Sequence, residues 1–332
     1  MPSLCRGAAH SLLKNCSPPS FCVNDEGVPR AAAQRALDKR YSNGIMGGAR
    51  YTVATFARRT PVVDYARLAQ SNLNVQVQDK IAVITINRPE RMNSITTELH
   101  SALEDVFVML NQDDRVRCAI LTGAGSRAFC AGADVKNMAS RNENPNEAKP
   151  LGNILRNAKW VIHNFLNLEV PIIGAINGDA VGLGSTLAVM CDVTVMSETA
   201  RIGDTHVKIG LVAGDGGALM WPFLIGMNRA KELLLTGRLI KGTEAERIGL
   251  VNYAVPQDQV MPRAMELATE LANGAPMAVR WTKAALNQHI WREVVNTHHF
   301  SLGVESLTAA SEDTKEAAKA FVEKRTPTFK NR

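Results

Sequence analysis

From Leu73 onward, short β-branched runs alternate with stretches of helical period, and this alternation constrains the fold more than any other feature of the chain. Leu73 to Gln78 alternates, Ile81 to Ile86 is a β-branched run, and Arg88-Pro89 ends it, which predicts a strand pair. Ser94 to Leu110 then places Leu99, Leu103, Val106 and Leu110 at helical spacing, with Asn93 or Ser94 as N-cap. Val116 to Thr122, Ile172 to Ala175, Cys191 to Met196 and Val251 to Val255 predict further strands, and Ile154 to Leu166 predicts a helix. Asn142 to Pro150 reads as a polar surface loop, and beyond Gln257 the pattern is almost all helix, broken at Gly274 to Pro276. The order argues for the α/β class with a helical tail, and no fixed-period repeat is present.

Charge separates the chain further. Residues 1–70 hold ten Lys/Arg against four acids, the whole of the formal +6, while 71–332 carry 28 of each sign. The body is neutral and its leader is basic. That leader lacks helical or strand periodicity, so no packed unit is expected there. An organelle transit segment, a nucleic-acid arm and an unstructured extension from an upstream start codon all fit its composition. The expected organisation is a leader at 1–70, a core at 71–265 and a helical region at 266–332. Six cysteines form no CxxC pair, which predicts a reducing compartment and no structural zinc. A cytoplasmic location follows, or the mitochondrial matrix if 1–70 is a transit segment. No apolar run is long enough to cross a bilayer.

Two glycine-bearing corners stand where a strand hands over to a helix: Phe129-Cys130-Ala131-Gly132-Ala133-Asp134-Val135 and Asn177 through Gly182-Leu183-Gly184-Ser185. Glycine lets the backbone turn sharply there and leaves the first helical amides free for an anionic oxygen. Tight packing, with Asp134 as an ordinary cap, is the plainer alternative.

These corners, with Ile84-Thr85-Ile86-Asn87-Arg88-Pro89, Asn93, Ala175-Ile176-Asn177-Gly178 and the ending Phe321-Val322-Glu323-Lys324-Arg325, resemble the enoyl-CoA hydratase/isomerase (crotonase) superfamily in order and spacing. The resemblance implies a crotonase-like spiral of ββα turns with a helical C-terminal trimerisation region, a homotrimer or dimer of trimers, and an acyl-CoA thioester as substrate. It implies no cofactor beyond the coenzyme A of the substrate; the residues themselves offer no metal site, and a nucleic-acid partner is not expected. It assigns the backbone N–H groups of Ala131 and Leu183 to the thioester carbonyl oxygen. Fixed amide dipoles there stabilise the negative charge that proton transfer beside a thioester creates.

The acid/base groups depart from the family. Hydratases carry two glutamates, and gap-free spacing puts Thr186 and His206 at those positions; the isomerases' loop glutamate is also His206. His206 is the first replacement candidate, because imidazole exchanges protons near neutrality. Asp215 is the second, unless it caps a helix from Gly217 to Leu224. Asp204 either orients His206 or caps locally, the local role being preferred. Thr186 can hold a water or substrate oxygen but is no base at neutral pH. Arg91, Lys136 and Lys324 are expected to meet the phosphates of CoA, and Ala133, Asp134, Gly182 and Gly184 to bind the substrate at the corners. Met220, Trp221 and Phe223 read as core or acyl pocket. His298-His299 lack ligand partners, and Cys130 lacks a paired histidine. Hydration of a 2-enoyl-CoA is the default reaction; isomerisation, hydrolysis, decarboxylation, or non-catalytic acyl-CoA or RNA binding are the alternatives.

Overall fold

Two sheets take the strands of this chain in rotation, and that rotation brings the two corners together. The computed structural model describes residues 62–135 and 151–332, with the backbone of a small antiparallel pair, Ile45–Met46 and Ala49–Arg50. The chain divides into two units, Met1–Arg59 and Thr60–Arg332. The readings of the leader as a whole, Lys136 and the loop Asn142 to Pro150 lie outside the described residues.

In the second unit β1 (Leu73–Gln78) and β2 (Ile81–Ile86) form the expected antiparallel pair. Their two-residue turn, Asp79-Lys80, has φ of 49° and 68°, the left-handed geometry that matches the twist of a hairpin. β3 (Cys118–Gly123), β5 (Ile172–Ile176), β7 (Val193–Ser197) and β10 (Tyr253–Val255) extend this sheet in parallel, in the order β10-β7-β5-β3-β2-β1. A second sheet holds β4 (Ala128–Cys130), β6 (Asp179–Val181) and β8 (Arg201–Gly203) in parallel, with β9 (Ile240–Lys241) antiparallel on β8. Each pass thus gives one strand to each sheet: β3 then β4, β5 then β6, β7 then β8. A helix closes each pass: α2 (Leu151–Leu166), α3 (Leu183–Val189), and a 3-10 turn (His206–Ile209) followed by α4 (Gly217–Ile225). This is the expected spiral of ββα turns.

After α5 (Met227–Thr236) and α6 (Gly242–Arg247) the tail comprises α7 (Val260–Asn273), α8 (Pro276–Glu293), a π-helical turn (Val294–His298), α9 (His299–Ala309) and α10 (Glu312–Glu323). β3 and β5 are buried along their whole length, as parallel strands covered on both faces require. One cover is α7, where Val260, Ala264, Ala268 and Ala272 recur every fourth residue against Ile81, Ile120, Ile173 and Val195. Tyr65 and Leu68, upstream of residue 71, are buried in the main core on the other face.

The helix expected from Ser94 is α1 (Thr97–Gln112), and its N-cap is Thr96, whose side chain accepts from the Leu99 N–H, rather than Asn93 or Ser94. Asn93 is engaged elsewhere. It is buried at φ 55°, accepts from the Arg88 N–H at 2.9 Å, and donates to the carbonyls of Ala124 (3.0 Å) and Ala128 (2.8 Å). Its amide thereby ties the loop before α1 to the strand that enters the first corner. Asn93→Ala would leave those backbone groups without their partner at a left-handed position, and should lower the unfolding free energy by about 3 kcal/mol in urea denaturation.

Candidate active site

β4 and β6 are parallel neighbours, so the chain leaves both at the same edge of the sheet. The corners then touch through their backbones. A Cβ on Gly184 would overlap the Cys130 carbonyl oxygen, and one on Gly132, where φ is 79°, would lie 2.6 Å from the Val181 carbonyl oxygen and 3.4 Å from the Leu183 nitrogen. Only glycine permits this approach. Leu183 opens α3, so its N–H has no carbonyl within the helix to reach. The Ala131 N–H differs from the expectation of two free amides. It donates to the Met92 carbonyl at 3.0 Å, because the left-handed turn at Met92 (φ 54°) aims that carbonyl at the corner.

Beside the second corner lies a buried polar chain. The His206 ring borders Gly182, where a Cβ would stand 3.6 Å from Cε1. His206 Nδ1 is 2.6 Å from Asp204 Oδ1, its Nε2 is 3.4 Å from Asp215 Oδ2, and Thr186 donates to Asp215 Oδ1 at 3.1 Å. All four side chains are buried. Burial works against a charged imidazole, but Asp215 and Asp204 outweigh it and hold the His206 pKa well above its ordinary value. Burial likewise opposes the Asp215 charge, yet His206 and Thr186 keep its carboxyl below the usual carboxylate range. Both shifts favour the charged forms, an imidazolium facing a carboxylate. Asp204 fixes the ring from behind, accepting also from the His206 backbone N–H at 3.1 Å. Asp204, His206 and Asp215 are the one group among the described residues whose potential ligand atoms lie within 4.8 Å of one another, and here their contacts are those of a hydrogen-bonded chain.

The sequence profile of the Enoyl-CoA hydratase/isomerase family matches residues 76–332. The chain belongs to that family. It is 37% identical over 263 residues to a short-chain-enoyl-CoA hydratase of Clostridium acetobutylicum, covering 79% of this chain and 99% of the relative. It is 34% identical over 262 residues to a crotonyl-CoA hydratase of Syntrophomonas wolfei, again covering 79% and 99%. The crystal structure of an enoyl-CoA hydratase/isomerase from Mycobacterium paratuberculosis superposes with a TM-score of 0.70 at 32% identity, over 75% of this chain and 98% of that one. The protein is thus a crotonase-superfamily enzyme in fold and sequence. Among its described residues no helix is long and apolar enough to cross a membrane.

Within this family frame the other anticipated residues divide. Gly182, Gly184 and Ala133 build the corners, Ala133 bridging to Ile95. The Asp134 carboxylate is 3.5 Å from the Arg88 guanidinium and from Ser94 Oγ. Asp215 does not cap α4, whose N-cap is Gly216. Arg91 and Lys324 are exposed, at the ends of a 3-10 turn and of α10. Met220 and Trp221 are core residues, whereas Phe223 is about half exposed at 49%. The Cys130 thiol is buried and pushed up to about 12 by desolvation, unsuited to nucleophilic work. One group escaped sequence reasoning: Glu305 on α9 lies within electrostatic reach of Asp215, ninety residues downstream of it, with no local motif to mark it. His298 on the π-turn, considered in the sequence only as a metal ligand, is within electrostatic reach of Asp215 as well.

Proposed function

We propose that this enzyme hydrates a 2-enoyl-CoA thioester, with His206 and Asp215 in place of the family's glutamates. The observation that carries this reading is the buried His206–Asp215 contact, with the His206 ring against Gly182, the residue before Leu183. The Leu183 N–H, joined by Ala131 when its bond to Met92 yields, receives the thioester oxygen. Asp215 accepts a proton from water as the water oxygen bonds to the β-carbon. The π electrons move through the α-carbon to the thioester oxygen, and the enolate takes the His206 proton at the α-carbon. The proton on Asp215 then returns to His206 across their contact, which restores both groups. Thr186 orients the Asp215 carboxylate, and Asp204 keeps the imidazole in place.

The relatives named for short-chain and crotonyl substrates support a short acyl group. Arg91, Lys136 and Lys324 are the cations proposed for the CoA phosphates. Self-association into a homotrimer or dimer of trimers is consistent with the exposed Trp281, Leu286, Phe300 and Leu307 of the helical tail. The buried free thiols Cys118, Cys130 and Cys191 favour a reducing setting, the cytoplasm or the mitochondrial matrix. The full chain incubated with crotonyl-CoA should consume the conjugated thioester and yield 3-hydroxybutyryl-CoA. Binding without turnover across enoyl-, 3-hydroxyacyl- and malonyl-type esters would overturn the hydratase reading in favour of a binding protein.

A further inference from the structure

Helix α9 is fastened to the loop that carries Asp215. Ser301 Oγ donates to the Gly214 carbonyl at 3.1 Å, and the Val212 N–H donates to Thr308 Oγ1 at 3.2 Å. Glu305 lies between these two on the same helical face, and its side chain rests on the main chain of Gly214. A Cβ on that glycine would be 2.7 Å from Glu305 Oε2 and 2.8 Å from Glu305 Cβ. Oε2 of Glu305 is sealed from solvent without a hydrogen-bond partner, as is Oδ2 of Asp204. A buried oxygen of this kind needs an explanation.

Charge supplies it. Asp204 and Asp215 face one imidazolium, His206, so the cluster already carries a surplus negative charge. From the π-turn, His298 offers no second cation, because burial and the neighbouring His163 and His299 push it down to about 4. A fourth carboxylate would add to the imbalance. Burial, then Asp215, opposed by His206 and reinforced by Asp204, push Glu305 up to about 8, so it keeps its proton at neutral pH.

Resting on the hydration reading, we propose that Glu305 is a positioning residue that sets the proton-donating strength of His206. With Glu305 neutral, His206 releases its proton to the α-carbon. With Glu305 ionised, the added negative charge holds that proton back and opposes the enolate. The proposed acid of the site is thus regulated from the C-terminal tail.

The test compares pH profiles of kcat for the wild type and Glu305→Gln, each normalised to its own plateau, since glutamine copies the neutral acid and cannot ionise. With a titration near pH 8, the wild type should retain about one tenth of its plateau at about pH 9, whereas the variant should retain most of its own. A variant profile that superimposes on the wild type would assign the alkaline limb to His206 and overturn the proposal. Infrared titration of the ligand-free full-length protein supplies a readout independent of turnover. A protonated-carboxyl band present at neutral pH and lost by about pH 9.5 is expected in the wild type and not in Glu305→Gln. Its absence from the wild type would also sink the proposal, whereas its presence without crotonyl-CoA turnover would fault only the hydration reading.

Discussion

Asp215→Asn should lower kcat for crotonyl-CoA hydration by about 10²- to 10⁴-fold, the contribution of a positioned general base. Asparagine keeps the size of the side chain and can still accept from Thr186, so folding should survive. It cannot take a proton from water, and His206 loses one of the two anions that keep it charged. KM should change little, because the corners proposed to hold the thioester are untouched. The variant should also differ in acid. A carboxylate whose folded pKa is depressed stabilises the fold above its unfolded value of about 3.9, and that contribution is lost as pH falls through the folded value. Asp215→Asn should therefore lose less thermal stability than the wild type as pH drops through the carboxylate range, as calorimetry would show. A variant within threefold of wild-type kcat would remove Asp215 from the chemistry and leave His206 as the sole candidate.

Leu183→Pro should reduce kcat by about 10²- to 10³-fold, the range for loss of one oxyanion donor. Proline is suited to this test because Leu183 is the first residue of α3, where a missing N–H breaks no helical bond and a fixed φ is tolerated. Leu183→Ala separates the two parts of the residue: it removes the buried side chain but keeps the amide, so its kcat should lie much nearer the wild type. Circular dichroism and thermal melting of both variants would establish that they fold. Equal kcat in Leu183→Pro and Leu183→Ala would show that the amide does not hold the thioester oxygen.

The strands, the helical tail and the two corners were legible because each is written locally, as β-branched runs, helical spacing and glycines at a strand end. The resemblance then supplied their joint meaning. What escaped depended on distant partners. Asn93 has the composition of a cap, but its amide is claimed by carbonyls of the segment entering β4, so Thr96 takes the cap. For Asp204 the sequence left both an orienting and a local role open, with the local one preferred, and the structure has it hold both the ring and the backbone N–H of His206. Nothing in the Ala131 segment announces that Met92 turns its carbonyl toward it. Glu305 sits in an ordinary-looking amphipathic tail, and only the docking of α9 on Gly214 gives it a place near the chemistry.

The pairing of β4 with β6 has a broader consequence. Neighbouring strands in any sheet stand about 4.8 Å apart, so loops leaving two parallel neighbours at one end bring together the Ala131 and Leu183 segments of the proposed thioester cradle. The cradle is a by-product of strand spacing and asks nothing of side chains except that some be missing. His206 and Asp215 come from the next pass of the spiral, and Glu305 from the tail, so on the proposed reading new reactivity can be grafted from those segments while the proposed thioester anchor stays as it is.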